Sequence, residues 1–181
     1  MSRFLLLTVL IVSAFPLAAQ PRRVDAFGQI GWMRWAGDDG SLGGSAAYGG
    51  AVMIPLNRRW AVDVDVLTSV KRTDYEPDQY FRTRRTTLTP AVVARWGTDR
   101  IYGFVGGGVG GQWDAIQFRR APIVGLPQSF DRTDTNFIFL LGKGGLVAVV
   151  TGRLLIRADL MIDFPFVLPN AVVRIGAGWR F

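Results

Sequence analysis

The side chains that do most protein chemistry are missing from this sequence. It contains no histidine and no cysteine. That removes the commonest general base, the commonest metal ligand and every thiolate. No zinc, haem or iron–sulfur centre is expected, and no cofactor. Carboxylates remain, and Asp159 and Asp163 are the pair to test. Four apart on one strand face, they stand about 13 Å apart at roughly 3.3 Å per residue, too far for most paired-acid work. The expectation is a protein that is not an enzyme.

Two other groups of charges have a pattern. Asp63, Asp65, Arg95, Lys143, Arg157, Asp159, Asp163, Arg174 and Arg180 each sit within an alternation of apolar and polar residues. Lys71, Arg72, Arg82, Arg84 and Arg85 flank a stretch that also holds Asp74, Glu76 and Asp78. What either group can do depends on the elements that carry it.

Those elements are strands. Val173, Ile175, Ala177, Trp179 and Phe181 fall on one face of an extended chain, with Arg174, Gly176, Gly178 and Arg180 on the other. Leu154, Ile156, Ala158, Leu160, Ile162 and Phe164 oppose Arg157, Asp159 and Asp163. Trp60, Val62, Val64 and Val66 alternate with Asp63 and Asp65. Leu88, Val92, Ala94 and Trp96 alternate with Thr87, Thr89, Val93 and Arg95. Period two is the signature of a strand with two different environments. Four less regular segments complete a set of eight: Val24 to Trp35, Ser45 to Ile54, the Gly-rich Ile101 to Trp113, and Thr135 to Val149. The Gly-rich segment does not reveal its faces, but its glycines leave room for bulky residues opposite. The links alternate in length. Ala36 to Gly44, Lys71 to Arg85, Asp114 to Asp134 and Pro165 to Asn170 are expected as loops on one side. Pro55 to Arg59, Gly97 to Arg100 and Val150 to Arg153 are expected as short turns on the other.

The environments follow from composition. Hydrophobic residues make up 49% of the 181, charged residues 19%, and 22 are glycine, which excludes disorder and favours strands and turns. The formal charge of +7 comes from dispersed arginines, so nucleic acid is not an expected partner. Residues 1–19 combine Arg3, an apolar run from Phe4 to Val12 and small residues at Ala18-Ala19, and are expected to be a cleaved signal peptide ahead of a barrel over 20–181. An exported chain without disulfides, with apolar residues on one face of its strands and few charges on the other, fits a membrane barrel with lipid outside and a polar lumen. Trp35, Trp60, Trp96, Tyr102, Trp113, Trp179 and Phe181 lie near turns, as interface girdles require. The alternative is a soluble exported barrel, which gives the same strand rhythm with its charged face outward.

The chain resembles the eight-stranded outer-membrane barrels of the OmpA/OmpX type over roughly Arg23 to Phe181. The resemblance is one of pattern, most specific in Val173-Arg174-Ile175-Gly176-Ala177-Gly178-Trp179-Arg180-Phe181, which looks like that group's terminal assembly signal. The segment from Gly142 to Leu146, followed by a tight turn and Leu154 to Leu160, is similar to its sixth and seventh strands. The resemblance implies an all-β, antiparallel, up-and-down transmembrane barrel in the bacterial outer membrane. It also implies lipid contact and handling by the barrel-assembly machinery through Trp179 and Phe181. A peptidoglycan-binding domain after the barrel is not expected, so a cell-wall anchor is not carried over.

On that frame the first charge group faces the lumen. Near-balanced charges in a narrow tube either plug it with ion pairs or line a narrow path for small solutes. The second group meets near the outer surface, where arginine forks suit lipopolysaccharide phosphates, or simply solvates a loop. The functions left open are an envelope or surface-interaction protein, a narrow porin-like channel, and a soluble ligand-binding barrel. The oligomeric state is not legible.

Overall fold

The computed structural model describes residues 23–36, 42–76, 79–120, 129–164 and 169–181. The expected signal peptide, 1–19, lies outside them. Eight strands form in chain order: β1 (Asp25–Ala36), β2 (Leu42–Pro55), β3 (Trp60–Glu76), β4 (Gln79–Gly97), β5 (Ile101–Arg119), β6 (Ser129–Val149), β7 (Leu154–Phe164) and β8 (Asn170–Arg180). Each pairs antiparallel with the next, and β8 returns to β1, so the sheet closes into a barrel.

The pairings set its width. Partners run from Asp25 through Met53, Asp63, Ala91, Gly108, Leu141 and Asp163 to Asn170, whose neighbour Ala171 faces Arg34. One circuit thus returns opposite position 35 of β1, ten residues beyond position 25 where it began. With about 3.3 Å per residue and about 4.8 Å between strands, that stagger tilts eight strands by about 40° and leaves a lumen that side chains fill.

The two faces separate by parity. Outward lie Ile30, Trp32, Val66, Val92, Val105, Leu146, Ile156, Leu160, Val173 and Ile175, all exposed. Inward lie buried polar and charged groups with Phe27, Met33, Phe104, Leu141 and Met161 between them. An apolar exterior around an ionic interior is the arrangement lipid demands, and a soluble barrel would reverse it. Trp60, Trp96, Trp179 and Phe181 ring the short-turn end, and Trp32, Tyr48, Trp113 and Phe137 the other. Tyr102 is not part of a girdle, because its side chain is buried inside the barrel. The side chain of Trp35 lies outside the described residues.

Two stretches expected as loops are strand. β3 continues through 71–76 and β4 runs from 79 through 85, pairing Lys71 with Thr83 and Arg72 with Arg82. β5 and β6 continue through much of 114–134, pairing Ala115 with Thr133 and Gln117 with Asp131. β2 begins within the expected Ala36 to Gly44 loop, and Asn170 opens β8. Along the long hairpins the outward positions turn polar while Phe81, Ile116, Phe118 and Phe130 take the inward parity, so the apolar-outward alternation is lost. Threonines and cross-strand backbone bonds keep them extended. β7 pairs with β6 only as far as Leu140, and β2 pairs with β3 only as far as Ser69. The four long strands therefore stand up as a wall beyond the barrel.

The irregular sixth strand has a specific cause. Gly108 faces Leu141 but Gly110 faces Ile138, so β6 carries one extra residue there. Phe139 and Leu140 both point outward, 68% and 61% exposed, and parity inverts across them. Below the bulge the odd positions of β6, including Lys143, face inward. Above it the even ones do.

Candidate functional site: the barrel lumen and its outer wall

Strand parity delivers six charged side chains to one level of the lumen. Asp63 and Asp65 come from β3, Lys143 from β6, Arg157 and Asp159 from β7, and Arg174 from β8; all six side chains are 0% exposed. Arg157 spans the tube and grips Asp63 with both terminal nitrogens, at 3.0 and 2.7 Å, while its Nε donates to Asp159. Lys143 Nζ lies 2.6 Å from Asp63 and bonds Asp65 as well. Arg174 donates from Nε to Asp159 at 2.6 Å and from Nη1 to Asp65 at 3.1 Å. Gln29 Nε2 completes Asp159 at 3.2 Å. Three carboxylates thus meet three cations, and each charge touches at least two of the opposite sign. The guanidinium of Arg157 also lies 4.7 Å from the ring centre of Phe104 and 5.3 Å from that of Phe27.

Glycine makes the room. Gly145 faces Asp159, Gly31 faces Arg174, and Gly176 lies between Gln29 and Arg157. A Cβ at Gly176 would come within 2.6 Å of the Gly28 carbonyl oxygen and 2.9 Å of Gln29 Cγ. Large charged groups are admitted where the neighbouring strands offer no side chain.

Three of the nine expected lumen charges stand apart from this cluster. At the short-turn mouth Arg180 holds Asp25 through two bonds of 2.7 and 2.9 Å, and Tyr102 Oη donates to Asp25 at 2.8 Å. Arg95 is half-buried there, 4.2 Å from the Tyr102 ring centre. Asp163 belongs to an upper group, accepting from Asn170 Nδ2 at 2.7 Å.

That upper group also takes Arg85, which was expected on the outer surface. It turns inward, binding Asp114 through Nε and Nη2 at 2.9 Å each and Asn170 at 3.1 Å. The reason is parity: Arg85 shares the inward face of β4 with Thr87, Thr89 and Val93. Lys71 likewise shares the inward parity of Asp65 and Ser69. Of the five surface cations, Arg72, Arg82 and Arg84 remain together on the outward face. Arg72 and Arg82 are directly opposed, and Arg84 opposes Val70 and Ala115. Arg72 leans to Asp74 at 2.7 Å and over the Tyr80 ring. Further up, Arg119 bonds both oxygens of Asp131 at 2.7 and 3.1 Å, and this hydrogen bonding holds the Asp131 carboxyl below its ordinary range.

Sequence reasoning missed Asp25, Gln29, Tyr102, Gln112, Asp114 and Asn170. Asp25, Asp114 and Asn170 sit at the ends of the apolar patterns, where the alternation that would place them fades. Continuing strict parity one turn further finds Asp25 from Phe27 and Asp114 from Gln112.

No protein-family model and no curated protein matches the sequence. Solved structures do match the fold. Ail, the attachment invasion locus protein of Yersinia pestis, superposes with a TM-score of 0.64 at 16% identity, over 90% of this chain and 100% of that one. The same protein in complex with the heparin analogue sucrose octasulfate gives 0.63 at 17%, over 88% and 98%. Neisserial surface protein A gives 0.60 at 11%, over 90% and 98%. The N-terminal barrel domain of Pseudomonas aeruginosa OprF gives 0.57 at 13%, over 90% and 100%. The chain is an eight-stranded β-barrel of the outer-membrane type.

Proposed function

We infer that this is a non-enzymatic outer-membrane protein whose lumen is sealed and whose work is done at the cell surface by the projecting hairpin wall. The observation that carries the reading is the opposition of Arg72 and Arg82 on the outward face, with Arg84 one step below. Like charges directly across an antiparallel pair repel. Asp74 answers Arg72 at 2.7 Å, and an anion from outside would answer Arg82 and Arg84. Arg84 stands two positions above Thr86, which faces the girdle residue Trp113 across β4 and β5. Two residues span roughly 7 Å and four roughly 13 Å along the tilted strand, which puts Arg84 at the depth of lipid phosphates with Arg82 and Arg72 just above it. Lipopolysaccharide phosphates are the ligand this geometry suits, since guanidinium forks bind phosphate oxygens in pairs. The polyanion held by a barrel of the same fold, sucrose octasulfate on Ail, is in keeping with it.

Biogenesis fits the same picture. Residues 1–19 would direct export and be removed. Trp179 and Phe181, both outward and exposed, would be read by the assembly machinery as the closing strand is fitted.

The test is lipopolysaccharide binding by purified, heat-modifiable barrel in detergent. Replacing Arg82 and Arg84 by alanine should weaken it by roughly tenfold or more, taking about 1 kcal/mol per basic residue near an anionic surface. The same variant should keep its gel shift on boiling. Unchanged binding would remove this function for the wall.

A further inference from the structure

The opposite rim carries a second basic feature that the surface reading does not use. The short turns and the chain ends beside them expose Arg23, Arg58, Arg59, Arg100 and Arg153, against one exposed acid, Asp99, among the described residues. Two of these arginines border a groove of about 580 Å³ at the foot of β3 and β4. Arg58, Arg59, Trp60, Arg95 and Trp96 line it, and no carboxylate does. None of its three arginines makes an ion pair with a described residue. The Nε of Arg95 is buried with no hydrogen-bond partner.

The groove is built rather than incidental. Asn57 Oδ1 accepts from the backbone N–H groups of Arg59 and Trp60 at 2.8 and 2.9 Å, fixing the turn. The Arg95 N–H donates to the Arg59 carbonyl at 2.6 Å, tying that turn to β4. Trp60 and Trp96 are 47% and 55% exposed on the lipid side. Indole rings of this kind settle where hydrocarbon meets headgroups. Cations beside them therefore meet a phosphate that has acyl chains attached.

We propose that this groove is a binding site for the phosphodiester of an anionic phospholipid in the periplasmic leaflet. Arg58 and Arg59 take the phosphate oxygens, Arg95 adds its charge from the lumen side of β4, and the two indoles cover the upper part of the acyl chains. The barrel is then held at both faces of the membrane by phosphate, from lipopolysaccharide outside and from phospholipid inside.

The experiment uses native mass spectrometry of detergent-purified protein offered equal amounts of phosphatidylglycerol and phosphatidylcholine. Wild type should retain the anionic lipid roughly tenfold more than the zwitterionic one, and raising the ionic strength should erase the difference. Arg58→Ala with Arg59→Ala should lose the preference while keeping the gel shift. Arg82→Ala with Arg84→Ala, at the other rim, should retain it. Equal retention of both lipids by wild type overturns the proposal, as does an unchanged preference in the Arg58/Arg59 variant. Inorganic phosphate displacing the lipid at equal concentration also overturns it, by assigning the groove to free phosphate. The salt titration on wild type decides the matter even if the double variant folds poorly.

Discussion

Removing Arg157 is the sharpest perturbation this barrel offers. Its guanidinium makes two bonds to Asp63, one to Asp159, and lies over Phe104, all with no exposed surface. Each charge-assisted bond is worth about 1.5–3 kcal/mol, but the sum overstates the loss because the acids keep other partners. Asp63 retains Lys143 at 2.6 Å, and Asp159 retains Arg174. What cannot be recovered is charge balance, since three buried carboxylates would face two cations. Deleting one member of a buried pair costs about 3–5 kcal/mol, and water entering the vacated space brings Arg157→Ala to the lower part of that range. Against a typical stability of about 5–15 kcal/mol that is a large fraction. The assay is reversible urea unfolding in lipid vesicles, followed by tryptophan fluorescence. Pairing Arg157→Ala with Asp63→Asn restores neutrality and should recover at least about 1 kcal/mol relative to the sum of the single changes. A single-variant loss below about 1 kcal/mol, with no recovery in the double variant, would refute the claim that these pairs hold the lumen together.

The other expectations are as direct. Ile156 is 51% exposed on the lipid face, so Ile156→Arg should cost about 2–4 kcal/mol in vesicles, and a neutral effect would mean the faces are reversed. A Cβ at Gly176 meets backbone within 2.6 Å whereas one at Gly28 meets nothing within 4 Å, so Gly176→Val should sharply reduce refolding yield and Gly28→Ala should not. Wild type should show no steady conductance in planar bilayers; stable open channels would instead establish the porin-like reading. Deleting Phe181 should lower barrel yield in cells while leaving refolding in detergent intact, and equal cellular yield would dismiss its role as an assembly signal.

How much of this was legible depended on whether apolar alternation survived locally. Along β7 every second residue from Leu154 to Ile162 is exposed and the others are buried, so Arg157 and Asp159 were placed on the correct face from sequence. Along β6 the bulge at Phe139-Leu140 shifts the rhythm by one, and no single periodicity fits both halves. In the outer hairpins the outward face turns polar, and the apolar-outward pattern vanishes although the strands continue. Arg85 was misplaced for that reason: it sits where the pattern fades, and only counting inward from Thr89 and Thr87 reveals that it points to Asp114. The division of the nine lumen charges into a cluster of six and three that stand apart was not legible either. Parity assigns a side, whereas height in a barrel tilted by about 40° depends on register around all eight strands.

The same tilt explains why the lumen is ionic at all. An apolar core would fill the tube equally well, and buried pairs often gain nothing over hydrophobic groups of the same volume. Register is a separate matter. A strand slipped by one residue exchanges its faces, and a slip of two keeps the faces but changes partners. Leucine would tolerate the second error. Asp63 held by Arg157 and Lys143 does not, because moving β3 two positions past β4 would carry both of its carboxylates away from cations on β6, β7 and β8 that cannot follow. Four of the six closest pairs in the cluster link strands that are not hydrogen-bonded neighbours, joining Asp63 and Asp65 on β3 to Lys143 on β6, Arg157 on β7 and Arg174 on β8. The charges therefore brace the barrel across its diameter, where the backbone ladder has no reach. At that level the tube is filled by six charged side chains with no exposed surface. On the reading proposed above, recognition falls to the outward arginines of the hairpin wall.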